Sequence, residues 1–127
     1  MSRDVQNYID GKWEPAAAGR TSKNFNPATG EVIGTFPLSD EGDVNRAVAA
    51  AVAQREAWGH TPPPARANIL FEAWRLMLER VDELAEALTR EEGKVIGEAR
   101  GEILKAAKLM EFIAGEGRRM KGETVPS

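Results

Sequence analysis

Few side chains in this sequence are equipped for covalent or acid–base chemistry. The 127 residues include no cysteine and a single histidine, His60. A disulfide framework, a thiolate metal site and a cysteine nucleophile are therefore excluded within this chain, as is a histidine-rich metal centre. His60 lies in Gly59-His60-Thr61-Pro62 with no serine, aspartate or second histidine at a telling spacing. A general base needs an orienting partner and a nucleophile within reach, so His60 reads as a surface turn histidine. The carboxylates offer more. Glu91-Glu92 precedes Gly93-Lys94, and Glu98 and Glu102 stand one helical turn apart. Carboxylates on one helix face can hold a hard cation, although such runs more commonly form a solvated face. Gly115-Glu116-Gly117 has the glycines of a phosphate cradle but follows a helix instead of a strand, and so marks a helix end.

The elements that must position these residues divide near residue 39. Residues 1–38 read as extended structure broken by turns. Asp10-Gly11 between Asn7-Tyr8-Ile9 and Lys12-Trp13-Glu14 is a two-residue hairpin signal, because glycine accepts positive φ without penalty. Phe25-Asn26-Pro27-Ala28-Thr29-Gly30 forms a second turn, and Glu31 to Phe36 a further short strand. Residues 39–121 predict three helices. The first is capped by Ser39 or Asp40 and runs to Trp58-Gly59. The second, Ala65 to Glu92, follows Pro62-Pro63-Pro64 and carries Leu70, Trp74, Met77, Val81, Leu84 and Leu88 at spacings of 4, 3, 4, 3 and 4. This stripe is expected to be core, a coiled-coil dimer being the lesser alternative. Gly93 stops that helix, and a third runs from Ile96 to Gly115 or Gly117. Residues 122–127 form a polar extended tail. The fold class is α+β, mainly α, with an N-terminal hairpin followed by three helices. Short strands of this kind need a helical layer or a partner.

Composition narrows the function classes. Seventeen basic and 20 acidic residues leave a formal charge of −3 with no large like-charged block, so the footprint of a nucleic-acid binder is absent. No apolar run approaches membrane-spanning length, and Met1-Ser2-Arg3-Asp4 leads into polar sequence without an apolar signal core, which favours the cytoplasm.

Several words of the sequence carry a more specific message. Tyr8-Ile9-Asp10-Gly11-Lys12-Trp13 is followed by Phe25-Asn26-Pro27-Ala28-Thr29-Gly30-Glu31-Val32-Ile33-Gly34. Ala47 to Ala57-Trp58, Arg66 with Leu70, Glu91-Glu92-Gly93-Lys94 and Glu98-Ala99-Arg100-Gly101-Glu102-Ile103 come next. Phe112 to Arg119 and Gly122-Glu123-Thr124-Val125-Pro126 complete the set. Together, in this order, these words resemble the opening of the aldehyde dehydrogenase superfamily, from about Asn7 to the end of the chain. The Gly-Glu-Gly and arginine pair most resemble the branch acting on semialdehydes of dicarboxylic acids such as succinate or 2-oxoglutarate semialdehyde.

The resemblance implies an N-terminal fragment of an NAD(P)-dependent dehydrogenase, not a complete set of its domains. In that family a cysteine thiolate attacks the aldehyde, hydride passes to NAD or NADP, and water hydrolyses the thioester. The catalytic asparagine, glutamate base, cysteine and nicotinamide-binding fold have no counterpart in this sequence. The chain alone is thus expected to bind no NAD or NADP, to be inactive, and to have no catalytic residue. The resemblance further implies a structural monovalent cation held by the Glu91 carboxylate and the Phe25 backbone carbonyl, its remaining ligand lying outside this sequence. It also places Lys105 near the substrate entrance, where a cation would steer an anionic semialdehyde. The expected partner is the remainder of the dehydrogenase chain. Without it Leu70, Trp74, Met77, Trp13 and Phe112 should lose contacts and favour a homo-oligomer or domain-exchanged self-association. The competing readings are a self-contained helical interaction module using the Leu70 stripe, and a regulatory remnant that binds full-length subunits.

Overall fold

The computed structural model describes residues 4–123 and residue 125. The expectations for Met1 to Arg3, and for Thr124, Pro126 and Ser127 of the tail, lie outside the described residues. The chain forms two compact units, Met1–Gly59 with Leu88–Lys94 and His60–Ala87 with Val95–Ser127.

The first unit begins with a hairpin of β1 (Asn7–Ile9) and β2 (Lys12–Glu14), in which Tyr8 faces Trp13. Asp10 and Gly11 have φ of 50° and 75°, the doubly left-handed turn that matches the strand twist. The Tyr8 and Trp13 rings lie 4.8 Å apart on this hairpin. A second antiparallel pair joins β3 (Thr21–Phe25) to β4 (Val32–Pro37), with a register shift at Asn24/Phe25. The β3 strand is additional to those the sequence predicts. The turn between β3 and β4 is built by Asn26. Its side-chain oxygen accepts the Ala28 N–H at 2.9 Å and its carbonyl accepts the Gly30 N–H at 2.8 Å. Gly30 has φ of 74°, a left-handed conformation that glycine enters without steric cost.

Helix α1 (Glu41–His60) follows, with Asp40 as its cap. Asp43 is 2% exposed and is the largest fully buried side chain among the described residues. Its carboxylate accepts the Ala17 N–H at 3.1 Å, the Asp40 N–H at 3.1 Å and the Arg46 guanidinium at 3.0 Å. Arg46 also bridges to Glu14 at 2.6 Å. A buried carboxylate is stable only when its lone pairs are filled, and this set fills them while pinning α1 to the loop after β2.

The second unit is helical. Helix α2 (Pro63–Glu79) starts behind Pro62, whose ψ of 137° sets the chain extended, and takes proline in its first turn where no N–H partner is needed. The single helix expected over Ala65 to Glu92 is two helices. Arg80, with φ of −110° and ψ of 20°, ends α2, and α3 (Val81–Glu92) begins at once. Helical bonding continues through the break: the Arg80 N–H donates to the Leu76 carbonyl at 3.1 Å, and the Leu84 N–H to the Arg80 carbonyl at 3.0 Å. The Arg80 guanidinium binds Glu83 through two bonds of 2.8 and 2.7 Å. The described residues therefore form four helices, the last being α4 (Ile96–Glu116).

Helices α2 and α4 pack together. Their buried residues are small: Ala67 on α2, and Ala99, Ala107 and Ala114 on α4, all at most 3% exposed. Alanine permits close helix approach, and Gly117 extends this seam. A Cβ at Gly117 would fall 2.6 Å from the Ala67 Cβ and 2.9 Å from the Pro63 carbonyl oxygen. Arg118 closes the end of the pair, donating to the Asn68 side-chain oxygen at 2.8 Å with its guanidinium 5.8 Å from the Phe71 ring centre. The stripe expected to be core is only partly so. Val81 is buried, Trp74, Met77, Leu84 and Leu88 are half-buried, and Leu70 is exposed.

No helix among the described residues is long and apolar enough to cross a membrane.

Candidate functional site

The residues proposed from sequence fall at two places. In the first unit, Phe25 ends β3 and Glu91 stands in the last turn of α3. Gly93 ends the helix with φ of 79°, its N–H donating to the Thr89 carbonyl at 2.9 Å. Only a residue tolerant of left-handed backbone closes a helix in this way. The same glycine touches the Asn-Pro turn. A Cβ at Gly93 would lie 2.8 Å from Pro27 Cγ and 3.6 Å from the Ala28 nitrogen. The structure thus brings the Glu-x-Gly-Lys word against the Phe-Asn-Pro word, Gly93 being two residues after Glu91 and Pro27 two after Phe25.

The donor chemistry of Phe25 and Glu91 fits a hard cation. A backbone carbonyl and a carboxylate are both oxygen ligands, of the kind that bind alkali and alkaline-earth ions. The space that a Cβ at Gly93 would fill is what lets the two segments approach. Glu91 is exposed, and the neighbouring Glu92 is paired with Lys94 at 2.7 Å. No group of three or more histidine, cysteine, aspartate or glutamate side chains arranged for a metal occurs among the described residues.

In the second unit Lys105 is exposed on α4, with Lys108 exposed one turn further on. Neither packs into the α2–α4 seam, which uses Ala99, Ala107 and Ala114. His60 is the last residue of α1 and is exposed, in keeping with a surface histidine. Glu98 and Glu102 are exposed on α4, and Gly117 caps that helix with αR geometry.

Two clefts lie among the described residues of the first unit. A cleft of about 470 Å³ between the hairpin and α1 is lined by Tyr8, Ile9, Asp10, Ala47, Ala51 and Gln54 among others. Another, of about 550 Å³, runs along α1 beside Val48, Val52, Arg55 and Trp58. Neither combines a nucleophile with a base.

The grouping that sequence reasoning missed is Glu14, Asp43 and Arg46. Its signal was the Asp40-x-x-Asp43 spacing, a capping box with aspartate in the place usually held by glutamate. Asp43 has its pKa lowered from the ordinary 3.8, first by the Asp40 N–H, then by the Ala17 N–H, with a smaller contribution from Arg46.

Over residues 13–127 the sequence matches the aldehyde dehydrogenase family. The chain belongs to that family. Among its curated relatives is a malonate-semialdehyde dehydrogenase of Bacillus pumilus strain SAFR-032, 44% identical over 122 residues that make up 96% of this chain and 25% of the relative. Among solved structures, a succinate-semialdehyde dehydrogenase from Burkholderia pseudomallei matches with a TM-score of 0.92 and 41% identity, covering 97% of this chain and 26% of that one. An NAD-dependent aldehyde dehydrogenase from Sinorhizobium meliloti gives a TM-score of 0.93 at 37% identity, covering 97% of this chain and 25% of that one. The two hairpins and four helices thus form the N-terminal part of an aldehyde dehydrogenase fold. This family member spans about a quarter of the length of the relatives it matches.

Proposed function

We propose that this chain is the N-terminal scaffold of a longer, cytoplasmic, NAD(P)-dependent semialdehyde dehydrogenase that oxidises a short dicarboxylic semialdehyde to its diacid. The observation that carries this is the match of nearly the whole chain, 97% of it, to one quarter of solved dehydrogenases at TM-scores above 0.9. The semialdehyde class is supported by the names of the relatives, malonate-semialdehyde and succinate-semialdehyde dehydrogenases. In such an enzyme the thiolate nucleophile, the base and the nicotinamide site belong to the remaining three-quarters. This chain contributes helices, the Phe25 carbonyl and Glu91 for a structural monovalent cation, and Lys105 near the mouth of the substrate path.

Alone, the chain has no thiol to attack an aldehyde carbon, so it forms no thiohemiacetal and transfers no hydride. Incubating it with malonate or succinate semialdehyde and NAD⁺ or NADP⁺ should leave the 340 nm absorbance of the reduced cofactor at background. Reading the gene downstream of Ser127 supplies the complementary test. Continuation into sequence bearing a cysteine supports the scaffold role, and an immediate stop codon would overturn it in favour of an interaction module.

A further inference from the structure

We propose that Asp10–Gly11, at the tip of the first hairpin, is a site of spontaneous backbone rearrangement that converts Asp10 to an isoaspartyl residue and opens the β1–β2 pair. This chemistry needs no catalyst or cofactor and is independent of the dehydrogenase reading.

The Gly11 nitrogen attacks Cγ of the protonated Asp10 carboxyl. An N–Cγ bond forms, the amide proton and a carboxyl oxygen depart as water, and a five-membered cyclic imide results. Water then adds to either imide carbonyl. Cleavage of N–Cγ restores aspartate, whereas cleavage of the bond from nitrogen to the Asp10 main-chain carbonyl carbon routes the backbone through Cβ. Nothing is oxidised or reduced, and the water lost in the first step is regained in the second.

The structure singles out Asp10 among the five aspartates. Asp4 binds Thr35, Asp40 and Asp43 are held by each other's N–H groups, and Asp82 binds Arg100. The Asp10 carboxylate is exposed and has no hydrogen bond or ion pair among the described residues. Asp10 is also the one aspartate or asparagine in the sequence that precedes glycine. The attacking nitrogen is therefore unhindered, since even a Cβ at Gly11 would meet nothing within 4 Å. Asp10 itself holds a φ of 50°, a left-handed conformation that costs a residue with a Cβ some strain.

Attack requires the turn to unwind, and little opposes that. The hairpin has three residues on each side and no third strand, and its Tyr8 and Trp13 rings are 61% and 66% exposed. Two-stranded hairpins of this size are marginal in water, so local opening is frequent. The product does not close again. An extra methylene in the main chain lengthens a loop that two left-handed residues span, and the Ile9–Lys12 and Tyr8–Trp13 pairings lose their register.

The test is incubation of the chain for several weeks at physiological pH and temperature, followed by trypsin. Cutting after Arg3 and Lys12 releases Asp4–Lys12. A second form of this peptide, equal in mass and different in retention, should accumulate and accept a methyl group from S-adenosylmethionine through an isoaspartyl-specific methyltransferase. Its rate in the folded chain should stay within about tenfold of the rate in urea, because hairpin opening costs little. Asp10→Glu should abolish the new form, since glutamate would have to close a less favourable six-membered ring. Asp10→Asn should convert faster through the same imide, losing ammonia in the first step. In the purified isoaspartyl chain the nuclear Overhauser contacts between the Tyr8 and Trp13 rings should be lost. Conversion in urea with none in the folded chain, or conversion undiminished in Asp10→Glu, overturns the site. Ring contacts that persist after conversion overturn the opening of the hairpin.

Discussion

Asp40 and Asp43 cap each other's backbone. The Asp43 N–H donates to the Asp40 carboxylate at 3.2 Å, and the Asp40 N–H donates to the Asp43 carboxylate at 3.1 Å. Two negative side chains tolerate this proximity because both sit at the N-terminus of α1, where the peptide dipoles favour anions, and because Arg46 binds Asp43 at 3.0 Å. The Ala17 N–H adds a further donor, so one buried carboxylate fastens a helix start, a loop and, through Arg46, the end of β2 at Glu14.

Acid should dissolve this fastening. The folded-state pKa of Asp43 lies below its ordinary 3.8 because backbone N–H donors favour the ionised form. The stability it contributes is therefore fully present above the ordinary value and drains away as pH falls through the folded one. At pH 7 Asp43→Asn should melt several degrees below the unaltered chain. The two midpoints should converge as pH falls below the ordinary value and through the folded one, since a protonated aspartate and an asparagine are nearly isosteric. Melting curves from pH 7 to pH 2.5 check this. Parallel pH profiles for the two proteins would remove Asp43 as the origin.

Glycine-to-alanine changes on α4 should differ in sign with position. Gly97 and Gly101 lie within the helix, where a Cβ meets nothing within 4 Å, so alanine gains by reduced chain entropy. Each of these changes should add about 0.5–1 kcal/mol. Gly117→Ala should do the opposite. Its φ of −60° imposes no conformational penalty, but the new Cβ would stand 2.6 Å from Ala67 and 2.9 Å from the Pro63 carbonyl. Neither neighbour is a flexible side-chain end, and overpacking of this kind costs about 1–3 kcal/mol. Urea unfolding of the three variants measures both signs.

How far these features were legible in the sequence depends on how local their cause is. The Asp10-Gly11 hairpin was readable because positive φ at both positions admits few residue types. The α2–α3 break was not, since no glycine or proline marks Arg80 and the apolar spacing runs through it without interruption. Strand β3, Thr21-Ser22-Lys23-Asn24-Phe25, has a weakly β-forming composition and owes its conformation to pairing with β4. The alanine seam was half legible: Ala107 and Ala114 recur with Ile103, Leu104 and Met110 along one apolar side of α4, whereas Ala67 escaped a search for large apolar residues because it defines contact by being small. Burial of Asp43 depends on Ala17 and Arg46, which a local cap signal does not contain. The approach of Gly93 to Pro27 joins words far apart in the chain, and only the family resemblance suggested that they belong together.

Lys105 should influence selectivity and leave the chemical step alone. In the proposed full-length enzyme, Lys105→Ala is expected to lower kcat/KM for an anionic semialdehyde by about two- to fivefold, the range of a solvated charge acting at a distance. A neutral aldehyde of similar length should be unaffected, and raising the salt concentration should erase the difference between the variants. Steady-state rates for the two aldehydes at low and high ionic strength measure this. Equal losses for both substrates would assign Lys105 a structural role.

Self-association is the last expectation, and α4 shows where to test it. Leu109, Phe112 and Ile113 are 58%, 64% and 51% exposed along its outer side, while Ala107 and Ala114 turn inward. Large apolar groups clustered on a solvated helix face lower their free energy by pairing, at about 25 cal/mol for each Å² covered. Light scattering should accordingly give a mass that rises with concentration above that of one chain. Phe112→Lys should reduce this association without lowering the thermal midpoint, because the ring contributes little to the α2–α4 seam. Loss of the folded signal together with the association would mean that Phe112 supports the fold. A constant monomer mass across the concentration range would show that these faces do not drive pairing.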